Sequence, residues 1–398
     1  MSDQYTDDRR ALATSRVPGV HLHPAMNLSE ARRLAGAVLV VGFDGLEAPP
    51  SLLNALAEGE VAGVILFRRN VSSAHQVRRL SSALVAASAL APVVAMDQEG
   101  GRVARLRSGV IQLPAMRALG ARGDLDLTRD CARALGEELA AVGVNLDFAP
   151  VCDVDSNPAN PVIGDRAFGA SPNVVSAHAV AFAQGLQSGG VHACAKHFPG
   201  HGDTDTDSHF ELPVVRHDRA RLDAVELPPF RAAIDGGVAT VMSAHVLFAR
   251  VDASVPATLS PAVMGGLLRA ELARGRDDLV IVSDDLLMKA VSARWPTEVS
   301  APMAIAAGCD LLLVCDDLAA QGRARDALVE RALRDEAFEA RLRDAARRVD
   351  ALRARRPARP VASDGALDAV FARPERAAME ARVAALRAGR EGHDPTAR

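Results

Sequence analysis

Two groups of residues have the types and spacing needed for acid, base or nucleophilic chemistry. The first is the segment KHFPGHGDTDTDSHFELP at positions 196–213, which is dense in titratable side chains. In an extended stretch, residues two apart point to the same side, so Asp207 could orient the imidazole of His209 and stabilise its protonated form. Because an imidazole titrates near neutral pH, the spacing predicts that His209 serves as both acid and base.

The same segment has two other interpretations, both as a metal site. Three carboxylates have the alternate spacing of the first ligands in a calcium loop: Asp203, Asp205 and Asp207. However, Ser208 stands where that loop needs glycine, and Val214 stands where it needs glutamate. A catalytic zinc would need convergent ligands, and nothing in the flanking residues requires the three histidines of the segment to converge. We therefore predict no metal and no cofactor.

The second group is a pair of aspartates at the end of the apolar run in VIVSDDL, positions 280–286. Asp285 is expected to cap the following helix, because carboxylates favour helix N-termini. Asp284, the first residue beyond the run, is available as a nucleophile. A carboxylate nucleophile with a separate proton donor is the equipment of a retaining glycosidase, so the two groups together favour that reaction.

Eight short apolar runs, separated by longer stretches of helical periodicity, must position these residues. They lie at 36–42, 61–67, 92–96, 143–148, 190–195, 238–243, 279–283 and 310–314. Such runs are typical of strands buried on both faces of a parallel sheet, and their alternation with helices predicts right-handed βα units. No GxGxxG motif follows the first run, so the sequence favours an α/β fold with a single (β/α)8 TIM-type barrel over a doubly wound sheet. In such a barrel the residues after the strands carry the chemistry.

The catalytic barrel is expected to occupy residues 31–356. Residues 1–30 are predicted to form an N-terminal extension, and residues 357–398 an Arg-rich C-terminal extension with a helix at 374–389. The connections after the third, fourth and fifth strands are long, at 97–142, 149–189 and 196–237. These connections are the candidates for the walls of a site.

The amino-acid composition excludes some classes of binding partner. With 49% hydrophobic and 24% charged residues and a net charge of -4, the chain has the balance of a soluble globular protein. A pI near 6.3 and 3% aromatic residues provide neither a basic face nor stacking platforms, so we expect no nucleic acid and no membrane partner. The five cysteines form no CxxC pair, and the acidic N-terminus is unlike a secretory signal. These features predict a cytoplasmic protein. We expect it to be a monomer or a weak homo-oligomer.

Five motifs occur in an order that resembles a known family. They are DQEGGRVARL (97–106), GDRAFG (164–169), KHFPGHG with its DSH continuation (196–209), SAHV (243–246) and IVSDDLLM (281–288). This series resembles glycoside hydrolase family 3, specifically its single-domain bacterial β-N-acetylglucosaminidases, from about Gly36 to about Asp316. The two-domain β-glucosidases of the family take their acid from elsewhere, whereas here the loop with Asp207 and His209 would supply it.

The resemblance implies retaining hydrolysis of terminal β-linked N-acetylglucosamine. Asp284 matches the nucleophile, and His209, oriented by Asp207, matches the acid/base. His201 and His245 lie in motif positions, where we expect hydrogen-bonding support rather than catalysis. The implied substrate is a small glycan, N-acetylglucosamine linked to anhydro-muramic acid with or without its peptide.

The resemblance also implies a set of residues that bind the sugar. Asp97 matches the residue that holds sugar hydroxyls, and Arg105, Arg166, Lys196 and His197 complete the pocket. Both arginines lie in the long connections, from which they could reach over the barrel mouth. A surface ion pair is the alternative role for each arginine.

Three alternatives stay open. A metal-dependent amidohydrolase would use a superficial set of His21, His23, Lys196, His245 and Asp310, although the first two precede the first strand. A glycan sensor would bind without turnover, which the presence of both Asp284 and His209 disfavours. A phosphorylase is the third alternative, because a histidine acid/base tolerates an incoming phosphate dianion better than a carboxylate does.

Overall fold

The computed structural model describes residues 26–208 and 210–386. Within them, eight parallel strands close into a barrel, each paired with the next along the chain, and the eighth pairs with the first. The strands are Leu39–Val41 (β1), Gly63–Leu66 (β2), Val93–Met96 (β3), Leu146–Asp147 (β4), His192–Phe198 (β5), Thr240–Ser243 (β6), Val280–Asp285 (β7) and Leu311–Val314 (β8). Six of the eight apolar runs contain one of these strands and the other two overlap β5 and β7, so the predicted α/β barrel is confirmed.

Two strands extend further than the apolar pattern indicates. β5 continues to Phe198 and β7 to Asp285. The pairing register shifts near both ends, between Ala195 and Phe198 and between Val282 and Asp285. Such irregularities re-aim side chains and are common beside active sites. The polar ends therefore belong to the strands, which hold them more firmly than loops would.

Helices cover the outside of the barrel. The longer α-helices are Leu28–Ala37, Pro50–Ala57, Ala74–Ala87, Met116–Arg122, Leu125–Ala141, Pro172–Ser188, Leu227–Asp235, Thr297–Ala307, Leu318–Ala332, Glu336–Arg355, Asp364–Phe371 and Pro374–Ala384. A π-helical segment, Ala262–Leu272, precedes β7. None of the described helices is both long enough and apolar enough to cross a membrane.

Two apolar layers form the core. Inside the barrel, side chains such as Ile65, Phe148 and Met242 belong to one cluster of buried apolar residues. Between barrel and helices, a larger layer includes Leu135 and Phe182. Because both faces of every strand are buried, the strands read as continuous apolar runs rather than as alternating ones.

Small sheets stiffen two of the long connections. After β3, Gln98–Gly100 pairs antiparallel with Val103–Ala104. The turn between them uses Gly100 and Gly101 at φ angles of 106° and 55°, which favour glycine. After β5, Val214–Val215 pairs in parallel with Leu247–Phe248 from the connection after β6. Both connections thus leave the barrel mouth as anchored walls.

Candidate active site

The carboxyl ends of the strands surround one cavity in the described part of the chain. Its lining includes Asp285 and seven of the predicted site residues, namely Asp97, Arg105, Arg166, Lys196, His197, His201 and Asp284. Apolar side chains such as Phe67, Phe148 and Met288 form the floor and sides. His209 lies outside the described residues, but its neighbour Ser208 lines the cavity. Asp207 and His245 are not among the lining residues.

Five charged side chains form what we call the charged cluster: Asp97, Glu99, Arg105, Arg166 and Lys196. The Lys196 ammonium donates to Asp97 Oδ1 at 2.8 Å and lies 2.6 Å from Glu99 Oε1. Arg105 donates to the other oxygen of Asp97 at 3.0 Å. Arg166 binds both oxygens of Glu99, at 2.9 and 2.8 Å. Lys196 and both arginines are at most 3% exposed, so neither arginine is a surface ion pair.

The cluster keeps its members charged although they are buried. Burial by itself raises a carboxyl pKa, but the charges of Lys196 and Arg105 outweigh it and hold the pKa of Asp97 well below its ordinary value. In the same way Arg166 and Lys196 overcome burial and lower the pKa of Glu99 to about 2. Burial would lower the pKa of Lys196, yet the two carboxylates raise it. The cavity therefore presents fixed charges at neutral pH.

His197 is held by a carboxylate behind it. Its Nδ1 lies 2.7 Å from Asp153 Oδ2, and its backbone N–H also donates to that carboxylate. Because an ionised carboxylate only accepts, Nδ1 carries the proton and Nε2 is the acceptor in the neutral ring. Nε2 lies 3.5 Å from Arg166 Nη2. Burial opposes ionisation of Asp153, but His197 and His201 hold its pKa below the ordinary value.

His201 forms hydrogen bonds to two residues of the loop that follows it. Its Nδ1 lies 2.7 Å from Thr204 Oγ1 and its Nε2 lies 3.1 Å from Ser208 Oγ. Burial lowers the pKa of His201 to about 4, so the ring is neutral near pH 7 and can serve as donor on one side and acceptor on the other. The carbonyl of Ser208 in turn accepts from the Ala290 N–H at 3.3 Å, beyond β7. The residue before His209 is thus linked to the short helix Lys289–Ser292, which follows the strand that carries Asp284.

Asp284 lies at the end of β7, partly exposed to the cavity. The Asp285 N–H donates to Asp284 Oδ1 at 2.8 Å. The expectation that Asp285 caps the following helix is wrong: its Oδ1 accepts from Leu287 and Cys315 N–H groups, both at 3.1 Å. The helix Lys289–Ser292 has Met288 at its cap position instead. The Asp285 carboxylate therefore joins the end of β7 to the end of β8.

His245 supports the same strand end. Its Nε2 donates to the Asp285 carbonyl at 3.0 Å, and its Nδ1 lies 2.8 Å from Thr258 Oγ1. The ring is fully buried. Its bonds fix the backbone next to Asp284.

A buried carboxyl without a full set of partners lies behind the charged cluster. Asp147 Oδ1 accepts from the Gln98 N–H at 2.8 Å, whereas Oδ2 has no hydrogen-bond partner among the described residues. Burial raises the pKa of Asp147 from 3.8 to about 8, and the nearby Asp97 and Glu99 charges act in the same direction. Asp147 is therefore predominantly neutral at pH 7.

Comparison with known proteins gives the family. The model of the glycosyl hydrolase family 3 N-terminal domain matches residues 43–352. The chain belongs to glycosyl hydrolase family 3. A β-hexosaminidase of Neisseria meningitidis serogroup C is 39% identical over 269 residues, which are 66% of this chain and 73% of that protein. The corresponding protein of Chromobacterium violaceum is 42% identical over 264 residues, 64% and 72% of the two chains.

Solved structures of family 3 members are similar over most of the chain. A β-N-acetylglucosaminidase from Paenibacillus sp. str. FPU-7 has a TM-score of 0.83 and 40% identity, covering 91% of this chain and 69% of that one. NagZ from Neisseria gonorrhoeae, in complex with N-trifluoroacetyl-D-glucosamine, has a TM-score of 0.75 and 32% identity, covering 89% and 98%. The resemblance stated from the motifs is confirmed, and the chain is a glycoside hydrolase.

Family membership decides against the amidohydrolase alternative. His21 and His23 of that alternative lie outside the described residues. Asp310 precedes β8, at the end of the barrel away from the cavity, where it pairs with Arg269 and Arg341. Within residues 26–208 and 210–386, no group of three His, Cys, Asp or Glu side chains is arranged to hold a metal ion.

Glu99 is a site residue that the sequence analysis did not select. It is 2% exposed and joins Lys196 to Arg166. A signal was available, because a carboxylate two residues after Asp97 in a strand-like stretch points to the same side.

Proposed function

We propose that this family 3 hydrolase is a retaining exo-β-N-acetylglucosaminidase that releases terminal β-linked N-acetylglucosamine. One observation carries the proposal: the carboxylate of Asp284 lines the same small cavity as the charged cluster. A polar pocket with one partly exposed carboxylate fits one sugar ring held over a nucleophile. The β-N-acetylglucosaminidase and β-hexosaminidase names of its relatives support the choice of sugar.

Asp284 acts as the nucleophile in this proposal. An Asp284 oxygen attacks the anomeric carbon and forms a glycosyl–aspartate bond, while the bond from that carbon to the leaving oxygen breaks. The leaving oxygen takes a proton from His209. A water then attacks the anomeric carbon, gives its proton to His209 and releases Asp284. The Asp285 N–H and the His245 bond to the Asp285 carbonyl hold the nucleophile in position.

The charged cluster binds the sugar. Asp97, kept ionised by Lys196 and Arg105, accepts hydrogen bonds from sugar hydroxyls. Arg105, Arg166 and Lys196 donate to sugar oxygens, while Glu99 sets the direction of Arg166 and Lys196. The fixed Nε2 of His197 accepts from the sugar or from Arg166. Because these groups are paired before substrate arrives, little reorganisation is needed on binding.

We propose further that His209 is the acid/base and that Asp207 orients it. We call residues 199–213 the acid/base loop. The links from His201 and Ala290 to Ser208 support this assignment, because they hold the residue next to His209 at the cavity wall. A histidine suits the role because its ordinary pKa allows it to give and take a proton near neutral pH.

We propose fragments of bacterial cell wall as the natural substrate, N-acetylglucosamine linked to anhydro-muramic acid with or without its peptide. The bacterial relatives support this substrate class. We place the reaction in the cytoplasm, a proposal supported by five cysteines that all lie buried among apolar side chains.

Hydrolysis of a chromogenic β-N-acetylglucosaminide by wild type, Asp284→Ala and Asp44→Ala tests the proposal. Asp44 is a matched control, since it follows β1 and its side chain is 89% exposed. We expect Asp284→Ala to lose about 1,000-fold or more in kcat and Asp44→Ala to stay within about twofold. Equal rates for all three proteins would remove Asp284 from the mechanism.

Two further measurements test the chemistry. A slow fluorosugar substrate should label the peptide that contains Asp284, and a label on another side chain would contradict the assignment. Product analysis in phosphate buffer separates hydrolysis from phosphorolysis. We expect free sugar, whereas a sugar phosphate would identify a phosphorylase acting at the same site.

A further inference from the structure

The two C-terminal helices, Asp364–Phe371 and Pro374–Ala384, lie beyond the matched residues 43–352 and dock back onto the barrel. The first packs against Ala74–Ala87, where Arg78 donates to Asp364 at 2.9 Å. The second packs against Leu125–Ala141. Leu367 and Val383 are fully buried and Met379 is 5% exposed, so apolar side chains hold both helices in place.

Arg376, on the second helix, reaches a loop that leads to the active site. Its Nε donates to Glu138 Oε1 at 2.7 Å, and its Nη2 donates to the Gly109 carbonyl at 3.4 Å. The other oxygen of Glu138 accepts the Ile111 N–H at 2.5 Å. Glu138 is 3% exposed, and Arg376 supplies the positive charge beside it. Removal of Arg376 would leave a buried carboxyl with a single strong partner.

The same loop ends at Arg105 of the charged cluster. Gln112 Nε2 donates to the carbonyls of Leu106 at 3.1 Å and Val110 at 2.8 Å, which closes residues 106–112 into a compact unit. Gln98 Oε1 accepts the N–H groups of Arg105 and Leu106, at 2.8 and 3.0 Å. The bonds of Gln112 thus connect residues 109–111 with Leu106, the neighbour of Arg105.

We propose that the C-terminal helix positions the substrate-binding loop, with Arg376 and Glu138 as positioning residues for Arg105. The inference rests on the proposed function, since it assigns Arg105 to the sugar. Neither positioning residue lines the active-site cavity. They determine the position of Arg105 relative to Asp97 and the substrate. Their loss should therefore weaken substrate binding more than it slows the chemical step.

Arg382 offers a matched control on the same helix. It donates to Asp130 of Leu125–Ala141 at 3.0 Å rather than to residues 105–112. Arg376→Ala and Arg382→Ala each remove one ion pair between the same two helices. Only the first disturbs the loop, so a difference between the two variants separates positioning from docking of the helix.

Steady-state kinetics on a chromogenic β-N-acetylglucosaminide form the first arm of the test. We expect Arg376→Ala to raise KM about tenfold with kcat within about twofold of wild type, because misplaced binding groups lose uniform substrate binding. Arg382→Ala should leave both constants within about twofold of wild type. Arg376→Lys, which keeps a cation near Glu138, should recover at least half of the lost affinity on a logarithmic scale. Equal KM values for Arg376→Ala and Arg382→Ala would overturn the proposal.

Hydrogen exchange of peptides from residues 105–113 forms the second arm and needs no activity. The Ile111 amide should exchange faster in Arg376→Ala than in wild type and Arg382→Ala. Unchanged exchange in Arg376→Ala, or equal acceleration in both alanine variants, would overturn the proposal. If the wild type shows no hydrolysis, the proposed function fails while this arm still decides the positioning role.

Discussion

The charged cluster and the acid/base loop are two halves of one site, built in different ways. The cluster joins strand ends and the walls next to them, and its members neutralise one another in pairs at 2.6–3.0 Å. The acid/base loop leaves the barrel after β5 and is held by hydrogen bonds of His201 to Thr204 and Ser208, by side chains of the connection after β4, and by a partly exposed pair of Asp203 with His217. Phe210, which follows His209, has 72% of its surface exposed. Sugar binding is thus assigned to buried, paired charges, whereas proton transfer is assigned to a loop that is partly exposed and contains fewer buried charges.

The largest effect is expected from removing the ammonium that the two carboxylates of the cluster share. Lys196→Met leaves Asp97 and Glu99 buried without their common partner. We expect kcat/KM to fall about 1,000-fold and the free energy of unfolding to fall by about 3–5 kcal/mol. Kinetics and urea unfolding measure the two effects. Lys289→Met, at the exposed second lysine of the chain, is the control, and similar losses in both variants would contradict a special role for Lys196.

A smaller effect is expected from the residue behind the cluster. Asp153→Asn keeps the shape of the side chain but removes the charge that fixes the protonated nitrogen of His197. We expect kcat/KM to fall about 100-fold, because the Nε2 acceptor is no longer specified. If kcat/KM stays within about threefold of wild type, the fixed tautomer has no role.

On the loop side, a single hydroxyl should matter less. Ser208→Ala removes the bond to His201 Nε2 but keeps the backbone bond to Ala290. We expect kcat to fall less than about tenfold, as for the loss of one neutral hydrogen bond. The loss should be larger for substrates whose leaving group needs a proton than for an activated phenol. A loss of equal size with both leaving groups would assign Ser208 to binding and would weaken the distinction between the two halves.

The smallest effect concerns pH and stability. In the unfolded chain Asp147 ionises near 3.8, but in the folded chain its pKa is about 8. Between these values the unfolded state binds fewer protons, so this residue lowers the free energy of unfolding as pH rises, until the effect levels off above pH 8. Asp147→Asn should reduce the decrease in stability between pH 5 and 8 by more than about 1 kcal/mol, measured by urea unfolding. Parallel pH curves for wild type and variant would contradict a raised pKa.

Sequence reasoning worked where one local pattern carried the information. The strands were recognisable because each is buried on both faces, which requires an apolar run of fixed length. The order of the five motifs was enough to identify the family. The same reasoning passed over Glu99, because its importance depends on Arg166, which is 67 residues away in the chain. It also gave Asp285 a helix cap that the structure assigns to Met288.

The amino-acid sequence by itself determined the barrel, the family and the set of polar residues at the strand ends, because periodicity and motif order are local properties. Only the tertiary structure decided which of those residues pair. Asp97 has one partner eight residues away in the chain and another 99 residues away. Both must contact Asp97 before its negative charge is stable when buried. The link from the C-terminal helix through Arg376 and Glu138 to the substrate-binding loop was likewise decided by packing. The physical reason is that Coulomb energy depends on the distance between two charges in space, which cannot be read from their separation along the chain.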